Sequence, residues 1–329
     1  MAYDGQVIRR ARQRLERERQ DRQDQLENRR REIYARLPRV EEIDRELRGT
    51  IARLLSAAMR NGEDPGPVLR DLEQGNLALQ KERAELLTKN GYPANCLEDR
   101  PACELCGDTG YMEGGMCDCL RELCRQEQIR LLSDLLELGD QNFEGFRLDV
   151  YDDVPWPGQV KTPRENMRQV LQICTGYAEK FGRYGIDNLF LSGDPGLGKT
   201  FLSACIARRV SELGFSVVYD TAVNVFAGFE AKKFARSEEE ARQAEEQVRR
   251  YLVCDLMILD DLGTELTTPF VQSALYQLVN ARLTAGKRTI VNSNLSPEEL
   301  THRYSAPAVS RLLGEYRCLS FYGTDLRQK

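Results

Sequence analysis

The sequence predicts an α/β protein in which a doubly wound, parallel five-stranded sheet follows an N-terminal helical hairpin and a small zinc-binding module. Three observations predict this. Residues 188–210 read as an apolar strand, a glycine-rich loop and a helix, six cysteines gather between Cys96 and Cys124, and the first ninety-two residues are charge-rich and helix-forming. The expected division is residues 1–92 for a partner-docking helical region, 93–130 for the cysteine module and 131–329 for the sheet domain. A chain of 329 residues can bury one good-sized core and a smaller unit besides.

The first fifty residues carry fourteen arginines and eleven acids, with few apolar positions from Val7 to Arg36. Val40, Ile43, Leu47, Ile51, Leu54, Leu55 and Met59 then recur at spacings of three and four, which predicts an amphipathic helix. A turn is expected at Asn61-Gly62 and Pro65-Gly66-Pro67. A second helix, with Leu69, Leu72, Leu79, Leu86 and Leu87, ends at Asn90-Gly91. Two helices hide two apolar stripes poorly, so this hairpin with its polar leading arm is expected to be a docking surface for another protein. The interleaved acids argue against a DNA-binding arm.

Cys103-Glu-Leu-Cys106-Gly has the form of a zinc knuckle, and Cys117-Asp-Cys119 follows at a distance that a hairpin through Gly110, Gly114 and Gly115 closes. Cys103, Cys106, Cys117 and Cys119 are therefore the expected tetrahedral zinc ligands, with Cys96 or Cys124 as substitutes for one member. A closed Cys₄ site organises the fold and leaves no open position for catalysis.

Gly193-Asp194-Pro195-Gly196-Leu197-Gly198-Lys199-Thr200 matches the phosphate-binding loop, in the strand-then-helix setting that gives the pattern meaning. Its glycines let backbone N–H groups face inward with no Cβ in the way. Lys199 supplies charge to the β- and γ-phosphates of ATP, the Thr200 hydroxyl can join the shell of Mg²⁺, and Phe201 opens the helix. Further strands are expected at Ser216–Tyr219, Leu256–Leu259, Thr289–Asn292 and Leu319–Phe321. The third runs into Asp260 and Asp261, as a buried parallel strand does where its C-terminal edge meets a ligand. Asp260 is the expected Mg²⁺ ligand and Asp261 the general base that polarises water. The fourth strand leads to Asn294, the expected polar sensor of the γ-phosphate, with Asn292 as the alternative should the strand register differ.

No run of eighteen apolar residues and no apolar leader occur, so a cytosolic protein is expected, with no membrane contact. A net charge of −5 gives no global attraction to nucleic acid, leaving any DNA contact to a local patch. The segment Phe226 to Arg236, with Phe229, Lys232, Lys233, Phe234 and Arg236, has the mixture of cations and aromatics that a single-strand groove uses. It reads equally well as an amphipathic helix whose phenylalanines pack inward.

With the phosphate loop, Leu259-Asp260-Asp261-Leu262-Gly263, Ser293-Asn294-Leu295-Ser296-Pro297, Ser310-Arg311-Leu312-Leu313-Gly314 and Phe321-Tyr322-Gly323-Thr324-Asp325-Leu326-Arg327 in place, residues 140–329 resemble the AAA+ ATPases. Among these they are similar to bacterial replicative helicase loaders of the DnaC/DnaI type and to the transposition helper IstB. The resemblance implies a P-loop domain with no separate helical lid. It assigns Arg311 as an arginine finger reaching a neighbouring subunit and Arg327 as a second sensor in its own. It implies a slow ATPase stimulated by assembly or DNA, with a hexameric replicative helicase and single-stranded DNA as partners and self-association through the ATPase domain. The alternative it carries is an ATPase helper of a DNA transposase; a nucleotide-binding adaptor whose ATPase is vestigial is the third reading.

Overall fold

The computed structural model describes residues 3–58, 66–136, 142–183, 185 and 187–328; the turn expected at 61–65 lies outside them, as do the side chains of residues 51–71. The chain divides into two compact units, one of residues 1–12 with 118–329 and one of residues 13–117.

The smaller unit is helical. The polar arm is one long helix, α1 (Gly5–Arg36), followed by α2 (Pro38–Ala58) and α3 (Gly66–Lys89). Within it Leu26 and Ile33 are buried, and Ile33 packs with Val40 of α2, Leu87 of α3, Cys96 and Leu97. Sparse apolar positions are enough because each is spent on the same stripe. Arg39 to Glu82 at 2.8 Å and Arg83 to Asp44 at 2.8 Å join α2 to α3. Past Lys89 the chain turns through Gly91 at φ 81°, where the N–H of Tyr92 reaches the carbonyl of Leu87 at 3.0 Å and closes the helix end. The cysteine segment follows, with a two-residue hairpin of β1 (Tyr111–Met112) and β2 (Gly115–Met116).

The larger unit holds the sheet. Its strands are β3 (Asn188–Gly193), β4 (Val217–Thr221), β5 (Leu256–Leu262), β6 (Arg288–Ser293) and β7 (Tyr316–Phe321), all parallel, in the order β4-β5-β6-β3-β7. All five overlap the runs predicted from sequence, with β5 running on to Leu262 and β7 beginning three residues earlier, at Tyr316. From β3 the chain crosses through α6 (Lys199–Glu212) to the far edge at β4, then returns through α7 (Ala222–Phe234), α8 (Glu238–Val253) and α9 (Pro269–Thr284), and reaches β7 through α10 (Pro297–Arg303) and α11 (Ala306–Glu315). Right-handed crossovers in opposite directions put α6 and the later helices on opposite faces. One core accordingly joins Leu202, Ile206 and Val210 of α6 to Leu189, Leu191, Ile258 and Ile290, together with Met167 and Cys174 of α5 (Pro163–Glu179) and Leu132 of α4 (Asp118–Leu136). The other joins Phe190, Leu259 and Val291 to Phe226, Tyr251, Leu275 and Leu312.

The helix α4 begins directly after Cys117 and packs with the sheet unit. Gln128 donates to Ser211 at 2.8 Å and to the carbonyl of Phe215 at 2.9 Å, and its oxygen accepts from the N–H of Val217 at 2.9 Å. Residues 118–136 thus serve the sheet unit, and so does the start of the chain, where the Tyr3 hydroxyl donates to the carbonyl of Gly214 at 3.1 Å and Asp4 pairs with Arg250 at 3.5 Å.

Candidate nucleotide and metal sites

The loop between β3 and α6 sits where the strand connections change direction, at the carboxyl ends of the strands, which is where open α/β sheets bind ligands. Gly193 (φ 141°) and Gly196 (φ 76°) adopt left-handed conformations, and a Cβ on either would collide with the Phe321 carbonyl or the Asp325 carboxylate. The loop is therefore clamped from the C-terminal side, with the N–H of Leu326 on the carbonyl of Gly196 at 3.2 Å. From the other side, the Tyr151 hydroxyl donates to the carbonyl of Leu197 at 3.0 Å, while the ring of Phe146 lies 5.8 Å from that of Tyr151 and 5.6 Å from that of Phe201.

A cavity of about 580 Å³ opens beside the loop, lined by Pro195 through Phe201 and by Asp261, Thr264, Asn294, Leu326 and Arg327. The Lys199 ammonium donates to the carbonyls of Gly193 at 2.6 Å and Asp194 at 2.7 Å. Burial lowers its pKa to about 8, against the pull of the Asp261, Asp260 and Asp194 charges. The Thr200 hydroxyl meets Asp260 Oδ2 at 3.2 Å. Asn292, buried on β6, donates from Nδ2 to Asp260 Oδ1 at 2.7 Å and to Ser203 Oγ at 2.9 Å. Asn294 faces the cavity and Asn292 does not, so the two asparagines hold different posts.

Alternation along β5 puts Asp260 on the α6 face and would send Asp261 to the other. A register shift between Leu259 and Leu262, with Asp261 at φ 53°, redirects the second carboxylate into the cavity instead. Burial first, and then the neighbouring Asp260 charge, push the Asp261 carboxyl above its ordinary range, while Lys199 and Arg327 oppose the shift. A carboxylate shifted this way accepts a proton more readily than a free aspartate does.

Arg311 stands apart from this cavity. It pairs with Glu315 at 3.6 Å and lines a separate polar recess with Asp187, Asn188 and Arg288. Its exposed position on α11 leaves it available to something outside its own chain. His302 is likewise exposed, on α10.

In the cysteine segment, the sulfurs of Cys103, Cys106, Cys117 and Cys119 all lie within 4.8 Å of one another, with Cys103 and Cys117 3.7 Å apart. Ligands at about 2.3 Å in a tetrahedron stand about 3.8 Å apart, so the donor set and its spacing fit zinc. The N–H of Gly110 points at the Cys106 sulfur at 3.4 Å. Asp108 accepts from the N–H groups of Cys103 at 2.8 Å and Ala102 at 3.0 Å and from Arg22. Burial pushes the Asp108 carboxyl up, but these donors together hold it below its ordinary value. Cys96 packs in the helical core and Cys124 is buried in α4, where burial and the Glu127 charge push its thiol up to about 11; neither joins the four.

Sequence reasoning missed Tyr219, whose hydroxyl also donates to Asp260 Oδ2, along with Ser203 and Tyr151. Tyr219 and Ser203 reach the site through strand register and helix packing, which leave no local signature.

Residues 182–313 match the family described as IstB-like ATP binding protein. The chain is 30% identical over 151 residues to Uncharacterized protein YdaV of Escherichia coli (strain K12), covering 46% of this chain and 55% of that protein. It is 30% identical over 143 residues to Replicative helicase loader DnaI of Bacillus subtilis (strain 168), covering 41% and 42%, and 25% identical over 170 residues to Replicative helicase loader DnaC of Buchnera aphidicola subsp. Schizaphis graminum (strain Sg), covering 51% and 67%. The chain spans about half the length of the curated relatives it matches. Among solved structures, one titled "Crystal Structure of the DnaI" aligns with a TM-score of 0.45 at 17% identity, covering 59% of this chain and 93% of that one.

A parallel sheet with a phosphate loop, paired acids and a strand-end asparagine around one cavity defines the sheet unit as an AAA+ ATPase domain. Within that class the sheet unit is similar to the IstB-like ATP binding proteins over residues 182–313 and to the helicase loaders DnaI and DnaC. Among the described residues no helix is long and apolar enough to cross a membrane.

Proposed function

We propose that this protein is an ATP-dependent loader of a hexameric replicative helicase, acting on single-stranded DNA during replication initiation. The observation that carries the ATP-dependent part is the convergence of Lys199, Thr200, Asp261, Asn294 and Arg327 on one cavity behind the phosphate loop. Residues Gly193 to Phe201 bind the nucleotide, and Asp260 with Thr200 holds Mg²⁺, whose charge offsets that of the phosphates. Asp261 takes a proton from the attacking water, Asn294 orients that water against the γ-phosphate, and Arg327 meets the charge that develops there. Arg311, outside its own cavity, serves a neighbouring subunit, so turnover follows assembly.

The helix pair α7–α8, inserted between β4 and β5, supports the DNA part of the reading. Phe226 and Phe229 are buried in the core, whereas Phe234 is exposed and stands 6.0 Å from the ring of Phe270, with the Lys233 ammonium over both rings. Lys232 and Arg236 flank this pair, giving a stacking surface edged with cations. In this reading residues 1–92 dock the helicase and the Cys₄ module of residues 93–130 holds a structural zinc that organises its own fold. The match to the IstB-like family keeps a second reading open, an ATPase helper of a transposase, for which duplex DNA is the substrate.

The test is titration of a fluorescent ATP analogue and of labelled oligonucleotides. Lys199→Ala is expected to weaken analogue binding by about 10- to 100-fold, the worth of a charge-assisted contact. The wild type with analogue bound is expected to prefer single strands, and Phe234→Ala to weaken that binding with analogue affinity unchanged. Unchanged analogue affinity in Lys199→Ala would overturn the site, and a preference for duplex would favour the transposase helper.

A further inference from the structure

Tyr219 reaches Asp260 from β4, the edge strand of the sheet. In the β4–β5 pairing Tyr219 lies opposite Ile258 and Thr221 opposite Asp260, so Tyr219 and Asp260 are diagonal neighbours on one face of the sheet. Asn292 shares that face, two residues beyond Ile290, which is the β6 partner of Ile258. Helix α6 covers the same face and brings Thr200 and Ser203 against it.

The two oxygens of Asp260 are used differently. Oδ1 accepts from Asn292 Nδ2 at 2.7 Å and from the N–H of Asp261 at 3.1 Å, two donors fixed by β6 and by the strand itself. Oδ2 accepts from Thr200 at 3.2 Å and from the Tyr219 hydroxyl. A carboxylate offers about four acceptor directions, so this one is filled. Burial and the Asp260 charge push the Tyr219 phenol well above its ordinary range, and it stays a donor.

When Thr200 turns a lone pair toward a metal, its bond to Oδ2 is given up without loss, because both oxygens can then face the same ion. The Tyr219 bond is different: it occupies a lone pair of Oδ2, the oxygen beside Thr200 that would face a bound metal. Orientation does not depend on it, since Oδ1 is held from two sides.

We propose that Tyr219 is a positioning residue that restrains the affinity of Asp260 for Mg²⁺, keeping the metal exchangeable and the nucleotide state reversible. This rests on the nucleotide reading of the loop. Removing the phenol hydroxyl then frees Oδ2 while Asn292 still aims the carboxylate, and the metal binds more tightly. Removing the Asn292 amide loosens the aim and has the opposite sign.

The experiment is titration of MgCl₂ into wild type, Tyr219→Phe and Asn292→Ala, each with a fluorescent ATP analogue, and with a parallel analogue titration in EDTA. Tyr219→Phe is expected to reach half-maximal Mg²⁺-dependent binding at about three- to tenfold lower Mg²⁺, with its affinity in EDTA unchanged. Asn292→Ala is expected to require more Mg²⁺. An unchanged or raised Mg²⁺ midpoint in Tyr219→Phe overturns the proposal, as does a shift of both variants in one direction. A wild type that binds no analogue with or without metal overturns the nucleotide reading itself, and this proposal with it.

Discussion

Lys199, the first residue of α6, is a buried ammonium bonded to the carbonyls of Gly193 and Asp194. Its folded pKa of about 8 lies below the ordinary 10.5, so between these values the unfolded chain holds a proton that the folded one has released. Stability therefore rises with pH across that window, and the burden of the buried charge is fully present below about pH 8. Relative to Lys199→Met, the nucleotide-free wild type is expected to gain about 1–3 kcal/mol between pH 7 and pH 10, seen by urea unfolding at the two pH values. A difference that stays constant would mean the lysine is not held as a buried charge. On the nucleotide reading the site keeps a destabilising group for the sake of function, the usual trade between stability and activity.

At the scale of elements, the cysteine ribbon of residues 103–119 and the bulged strand β5 do work that regular structure cannot. The ribbon has hardly any apolar core of its own, with Tyr111 and Met112 exposed, and its order comes from the four sulfurs and from Asp108 with its partners Cys103, Ala102 and Arg22. Structural zinc contributes its binding free energy to folding, on the order of 10 kcal/mol in small fingers. The purified chain is expected to hold one zinc by atomic emission. Cys103→Ser is expected to lose the metal and to become sensitive to protease within residues 93–117, while analogue binding to the sheet unit persists. Zinc retained at full stoichiometry in that variant would show that other groups hold it. In the sheet unit, the buried Arg282 plays a comparable role without metal, donating to Thr289 at 2.9 Å and to the carbonyls of Tyr251 at 2.6 Å and Cys254 at 3.1 Å, which pins α8, α9 and β6 together.

For the whole molecule, the separation of Arg311 from the cavity its own chain forms has a direct consequence. An arginine that acts across an interface can be supplied by a different copy. Arg311→Ala and Lys199→Ala chains are each expected to be defective in hydrolysis, by about 10³-fold for the finger. Mixing them is expected to restore part of the turnover, measured by phosphate release, because the Lys199→Ala copy still offers its arginine to the intact loop of the other. No recovery on mixing would place Arg311 outside the reaction.

Contiguous features were readable from the letters alone. The phosphate loop and the Asp260-Asp261 pair are contiguous, the four cysteines form two close pairs with a ten-residue hairpin segment between them, and all five strands followed from apolar runs. The periodicity also marked α2, though not that the arginine-rich arm continues as one helix, because its buried positions Val7, Ala11, Leu15, Leu26 and Ile33 include an alanine and are interrupted for a stretch of charged residues between Leu15 and Leu26. Only the tertiary structure decided which asparagine faces the cavity, that Asp261 turns inward through a bulge, that Phe234 points outward while Phe229 packs inward, and that Tyr219 shares an oxygen with Thr200. Those outcomes depend on pairing between strands and on which helix covers which face, and the energies that set them come from residues dozens of positions apart.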